Sequence, residues 1–228
     1  MKHLVHCITN YVAMNFTANS LLAVGVTPIM SAFPDEMEEL VGKCDALLVN
    51  IGCLDNQQIE AMKIAVSTAR ECRKPWALDP VAVGLTKQRT EVCKELIGIC
   101  APDIIRGNKH EIDAIRTIYG VEGSETELAK RLGCVIVTSG ATDLITDGSR
   151  CERITLGSPM MTEVTAMGCV STAISAAYMA KGFNAFDAAC KTMLLMGRAG
   201  EKAAEICDGT GSFKQVFIDN IYKMKCDE

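Results

Sequence analysis

The sequence is poor in aromatic residues, at 5% with one tryptophan, and has only three histidines. It has no run of basic residues, and no apolar stretch approaching the ~20 residues that cross a bilayer. With 23 Lys+Arg against 28 Asp+Glu and a net charge of −5, the missing basic run removes nucleic-acid binding from consideration. The first residues, MKHLVHCITNYVAMNF, lack the charged-then-apolar layout and the small-residue cleavage site of a secretory leader, so a soluble cytoplasmic protein is expected. His3, His6 and His110 are too scattered for a histidine-based metal centre. No Pro/Gly/Ser linker, repeat or low-complexity tract interrupts the 228 residues, which predicts one domain over residues 1–228.

What the chain does have is cysteine, twelve in all, with no two spaced as a CxxC pair. That spacing excludes zinc ribbons and thioredoxin-like redox motifs. Most of the cysteines sit beside Ile, Val, Leu or Ala, so they are expected as reduced thiols packed as small hydrophobes in a reducing compartment. A hydrophobic content of 49% is enough for a core without disulfides, and Trp76 is expected inside it.

Short apolar runs alternate with segments of helical period, the pattern of an α/β protein with a mainly parallel sheet. Strands are expected at Ala46–Ile51, Trp76–Val81, Asp103–Arg106 and Cys134–Thr138, and a hairpin at Asp143–Thr146 with Glu152–Leu156. Between the first two strands, Ile59, Met62, Val66 and Ala69 form one stripe of an amphipathic helix. Further helices are expected at Thr90–Ile99, Glu111–Tyr119, Cys169–Lys181, Ala185–Cys207 and 213–225.

Ligands of open α/β sheets bind at the carboxyl ends of the strands. The residues just past the expected strands are Asn50 and Gly52, then Asp79, then Arg106, Gly107, Asn108 and Glu111, then Thr138, Ser139 and Gly140. This set suits phosphates and a divalent cation. A second signal is Thr165-Ala166-Met167-Gly168-Cys169 ahead of a long helix, where free backbone N–H groups and the helix dipole favour an anion. The same field is expected to lower the Cys169 thiol pKa. Each feature also has a plain structural reading. The turn could be a helix start beside a buried cysteine, Met30 a core methionine, Arg106 a surface charge, Asp79 a turn opener before Pro80, and Glu111 part of an exposed helix face.

Taken in order, VHCITNYVAMNFTANSLLAVGVTPIM (5–30), LVNIGCL (48–54), LDPVAVG (78–84), IRGNKHEI (105–112), VTSGATDLITDG (137–148), VTAMGC (164–169) and GTGSFKQVFIDNI (209–221) resemble the hydroxyethylthiazole kinases of the ribokinase-like superfamily over nearly the whole chain. The resemblance implies a three-layer α/β fold, a central mainly parallel sheet flanked by helices with no separate lid. It places Met30 against a thiazole ring, with Asn10 and Ala166 also on the substrate side. It assigns Arg106 and Thr138 to ATP, away from the 165–169 turn, and Asp79 and Glu111 to magnesium, largely through water. Cys169 and Gly168 take the catalytic place, Cys169 where ribokinase relatives carry an aspartate base.

Two departures stand out. Ala166 replaces the first glycine of a TGxGC motif, which strains the backbone by roughly 1 kcal/mol if φ must be positive. Ala82 and Val83 stand where LDPVGAG-type sequences have smaller residues. The activity implied is ATP-dependent phosphorylation of 4-methyl-5-(2-hydroxyethyl)thiazole in thiamine salvage, with ATP and Mg2+, by a homotrimer with sites between subunits. Alternatives are a kinase for another heteroaromatic alcohol such as hydroxymethylpyrimidine, and a non-catalytic thiazole- or nucleotide-binding member.

Overall fold

The computed structural model describes residues 2–224. Eight strands form one sheet: β1 (Leu4–Ile8), β2 (Thr27–Met30), β3 (Ala46–Asn50), β4 (Trp76–Asp79), β5 (Ile104–Asn108), β6 (Val135–Ser139), β7 (Asp143–Thr146) and β8 (Cys151–Ile154). Their spatial order is β2-β1-β3-β4-β5-β6-β7-β8. Pairing is parallel from β2 to β6 and antiparallel for β7 and β8.

The helices are α1 (Met14–Ala23), α2 (Met37–Lys43), α3 (Asn56–Glu71), α4 (Lys87–Ile99), α5 (Lys109–Ile118), α6 (Glu125–Leu132), α7 (Met167–Ala180), α8 (Ala185–Ile206) and α9 (Thr210–Met224). They cover both faces of the sheet. Alternate strand residues divide between two cores, as the period of two requires. Ala46 and Leu48 pack with α1, α7, α8 and α9 on one side. Leu47 and Val49 pack with α2 to α6 on the other, together with Trp76, which is buried.

The expected strands match within a residue or two, and the α/β class is as expected. β1, β2, α1, α2 and α6 are elements that the sequence pattern does not announce. β2 is only TPIM, four residues containing a proline, and β1 interrupts its apolar run with His6, so neither carries a clear strand signal. The last helix starts at Thr210, and its expected end at 225 lies outside the described residues. Cys7, Cys44, Cys93 and Cys134 are buried as small hydrophobes, whereas Cys72 and Cys151 are exposed; all described cysteines are free thiols.

Local caps fix the helix starts that matter for the strand-end surface. Asp55 accepts from the Gln58 N–H at 2.7 Å, and Thr86 from the Arg89 N–H at 3.3 Å. Asn108 and Glu111 form a reciprocal capping box at the start of α5. Helix α7 differs, because its N-cap, Ala166, offers no side-chain cap. After β1 the chain steps outward to β2 and then returns to the other side of β1 as β3. This reversal of direction opens a crevice at the carboxyl ends of β1 and β3.

Candidate active site

Three strand ends and the start of α7 converge on one polar network. Asn10, just past β1, donates from Nδ2 to Asn50 Oδ1 at 3.0 Å and to Cys169 Sγ at 3.5 Å. Asn50, ending β3, donates from Nδ2 to Asp79 Oδ2 at 2.6 Å. A side chain at residue 52 would crowd both asparagines, so Gly52 is what lets the pair form. Asp79, ending β4, is 1% exposed. Burial, reinforced by Glu111, pushes its carboxyl up to about 6 against the pull of the nearby Arg106 guanidinium.

The Cys169 thiol is within hydrogen-bonding reach of both Asp79 and Asn50. Its pKa is pushed up to about 12, first by burial and then by the Asp79 charge. This corrects the expectation of a thiol acidified by the helix dipole. Desolvation and a carboxylate neighbour outweigh the end of a helix, whose influence is worth at most ~2 kcal/mol. At neutral pH the proton of this pair therefore sits on sulfur.

Arg106 is not a surface charge, and it does not lie apart from the 165–169 turn. Its Nη2 donates to Ser139 Oγ, and its guanidinium packs against Gly168, where a Cβ would overlap it. Its Nε is buried and has no partner, as is the hydroxyl of Thr138 on the neighbouring strand. The Arg106 cation, its orphaned Nε and the uncapped start of α7 thus meet at the strand ends, an arrangement that suits an anion with several oxygens.

Glu111 is buried rather than part of an exposed face. Its Oε1 accepts from the Ala82 N–H at 2.9 Å and its Oε2 from the Asn108 N–H at 2.8 Å. Both oxygens are engaged with backbone, and no cluster of three or more His, Cys, Asp or Glu side chains suited to a metal occurs among the described residues. The donor set therefore fits a hydrated cation held through water, and not one caged by protein oxygens.

Ala166 has φ +70° and Ala82 has φ +60°. Both positions named as departures from glycine thus adopt the left-handed conformation that glycine accepts freely. Met30 lines a cavity of about 290 Å³ with Thr9, Met14, Phe33 and Gln58, between the ends of β1 and β2 and the start of α3.

The sequence reading missed Arg89. It donates to the carbonyls of Gly52 at 3.0 Å, Val81 at 3.1 Å and Ile51, tying the loops after β3 and β4 together. It sits on a helix away from the strand-end positions, and nothing in the sequence pattern marks it. No helix among the described residues is long and apolar enough to cross a membrane.

A profile of the hydroxyethylthiazole kinase family matches residues 1–227. A hydroxyethylthiazole kinase of Brachyspira hyodysenteriae is 41% identical, with 99% of this chain and 90% of the relative covered. One from Nitratidesulfovibrio vulgaris is 39% identical, covering 97% and 88%. Among solved structures, the hydroxyethylthiazole kinase protein of Pyrococcus horikoshii OT3 superposes with a TM-score of 0.92 at 36% identity, over 97% of this chain and 88% of that one. Pyridoxal kinase of Staphylococcus aureus shares the fold, with a TM-score of 0.64 at 14% identity over 88% of each chain.

Proposed function

The chain belongs to the hydroxyethylthiazole kinase family, and from that premise we propose which of its residues carry the transfer of a phosphoryl group from ATP to the hydroxyl of the thiazole alcohol in thiamine salvage. The observation that supports the assignment most is the Arg106 guanidinium packed on Gly168 at the uncapped start of α7, beside buried Asp79. Phosphoryl transfer is catalysed mainly by positioning and charge stabilisation, and this spot concentrates both.

In this reading Arg106 and the orphaned Thr138 hydroxyl hold the nucleotide, and the first turn of α7 cradles the phosphoryl group in flight. Asp79 and Glu111 hold Mg2+ through water, and the cation when bound neutralises phosphate charge. Met30 and Asn10 line the acceptor side, with Ala166 at its edge. Cys169 keeps its proton until the reaction. The sulfur takes the proton of the substrate hydroxyl while the thiol proton passes to Asp79, so one proton enters the pair and the carboxylate ends protonated. This order follows from the carboxyl titrating near 6 and the thiol near 12.

The working unit we propose is one domain over residues 1–228, assembled as a homotrimer. Tyr11 at 65% and Phe33 at 50% exposure both line the Met30 cavity, which leaves it incompletely walled until another subunit covers it. The free thiols support a cytoplasmic location. A coupled ADP-release assay with the thiazole alcohol tests the reaction. ADP release dependent on that alcohol is expected, and its absence at saturating ATP and Mg2+ would overturn the reading.

A further inference from the structure

The cavity beside Met30 is lined by two residues that each carry a polar atom nothing in the protein satisfies. Thr9 and Gln58 line it, and each is only 3% exposed. Yet Thr9 Oγ1 and Gln58 Oε1 have no hydrogen-bond partner. A buried polar group left unpaired costs about 1–3 kcal/mol, so two on one cavity mark a place where a ligand supplies the partner. Ser31 and Asp55, also on the cavity wall, are engaged within the protein. The Ser31 hydroxyl donates to Glu36, the Ser31 carbonyl lies 3.1 Å from His6 Nε2, and Asp55 caps α3. Met14, Met30 and Phe33 supply apolar walls for a flat ring.

Resting on the kinase reading above, we propose that Thr9 and Gln58 form the pair that recognises the ring nitrogen of the acceptor alcohol. The Thr9 hydroxyl can donate, and the Gln58 carboxamide presents either its oxygen or its N–H after a half-turn of its last torsion. The ring nitrogen accepts at its one in-plane lone pair, shared between the Thr9 hydroxyl and the Gln58 N–H once turned toward it, and the methionine-lined remainder is indifferent to which carbon or sulfur it meets. A site that hydrogen-bonds its ligand rejects the analogue lacking that atom far more strongly than an apolar wall rejects a change of size. Thr9 is also joined directly to Asn10, which contacts Cys169, so anchoring the ring at Thr9 fixes it relative to the reacting sulfur.

The test compares the full chain with its Thr9→Val, Thr9→Ser and Gln58→Met variants. Calorimetry measures binding of the thiazole alcohol and of the thiophene alcohol of the same shape, which lacks the ring nitrogen, and ADP release is followed in parallel. The wild type is expected to bind the thiazole at least about tenfold more tightly, the worth of one hydrogen bond. Thr9→Val and Gln58→Met should erase most of that preference by weakening the thiazole alone, while Thr9→Ser keeps it. Equal weakening of both rings, or no preference in the wild type, overturns the pair. If the wild type prefers the thiazole but releases no ADP, the kinase reading fails and the pair stands. If it turns over both rings equally, the reading stands and the pair falls.

Discussion

The Arg106 guanidinium lies against the α-carbon of Gly168 so closely that no side chain could stand between them. The two residues come from β5 and α7, and their contact joins the proposed nucleotide side of the site to the proposed phosphoryl cradle. Gly168→Ala should therefore separate stability from activity. An alanine inside a helix is favoured over glycine by about 0.5–1 kcal/mol, so the melting temperature should hold or rise. The methyl displaces Arg106, and the KM for ATP should rise with a fall in kcat of roughly tenfold or more, equivalent to ~1.4 kcal/mol of lost transition-state stabilisation. Steady-state kinetics with a thermal melt checks this, and unchanged kinetics would remove Arg106 from the cradle.

The two carboxylates should part company on substitution. Asp79→Asn removes the proposed proton acceptor and its charge while leaving a side chain able to meet Asn50. It should depress kcat far more than it weakens thiazole binding. Glu111→Gln turns one of two accepting oxygens into a donor facing a backbone N–H, so it should also cost stability, on the order of 1–3 kcal/mol. Urea midpoints beside kinetics distinguish them. Equal stability losses in both would mean that Asp79, too, acts only as a structural acceptor.

Ala166→Gly relieves a left-handed alanine at the start of α7. The strain released, about 1–2 kcal/mol, exceeds the ~0.4–1 kcal/mol that glycine's extra unfolded-state freedom costs, so stability should hold or rise slightly. Turnover with the thiazole alcohol should rise, up to about tenfold if the freed ~1 kcal/mol is realised in the transition state. A drop in stability with no gain in rate would show that the cradle has no need of glycine there.

His6 makes the free protein sensitive to mild acid. The ring is fully buried, with Nδ1 unpartnered, and burial holds its pKa below the ordinary value of 6.5 despite the Ser31 carbonyl and the Glu36 charge. Below that value the unfolded chain binds the proton first, so stability falls as pH falls. Asp79 works in the opposite sense. It titrates near 6 in the folded protein against 3.8 unfolded, favouring the folded form at low pH and losing that contribution as pH rises through the interval. Comparing His6→Gln with wild type isolates the histidine. On acidification from neutral pH through the ordinary histidine range, the variant should lose less stability than the wild type, as followed by urea midpoints at each pH. Parallel losses would show that His6 titrates normally.

Strand-end chemistry was legible in the sequence because parallel strands such as ALLVN and WALD are nearly continuous apolar runs, ending abruptly in Asn50 and Asp79. The same logic exposed Arg106 and Thr138. What the sequence concealed was who touches whom. The Arg106–Gly168 contact joins residues 62 positions apart, and the raised pKa of Cys169 depends on a carboxylate from a different strand. Arg89 was invisible because it recognises three backbone carbonyls, and carbonyls leave no mark on a residue pattern. The positive φ of Ala82 and Ala166 was readable only against the glycines that similar sequences carry there.

The two margins of the sheet are unlike each other, and both discourage extension. β2 carries Pro28, which has no N–H to offer a neighbouring strand, and β8 presents exposed Glu152 and Arg153. A second copy approaching either margin meets a missing donor or exposed charges. Copies of this chain are thereby kept from fusing strand to strand into a continuous ribbon. The proposed trimer must close through loop and helix surfaces instead, where Tyr11, Val12 and Phe33 already stand exposed beside the acceptor cavity.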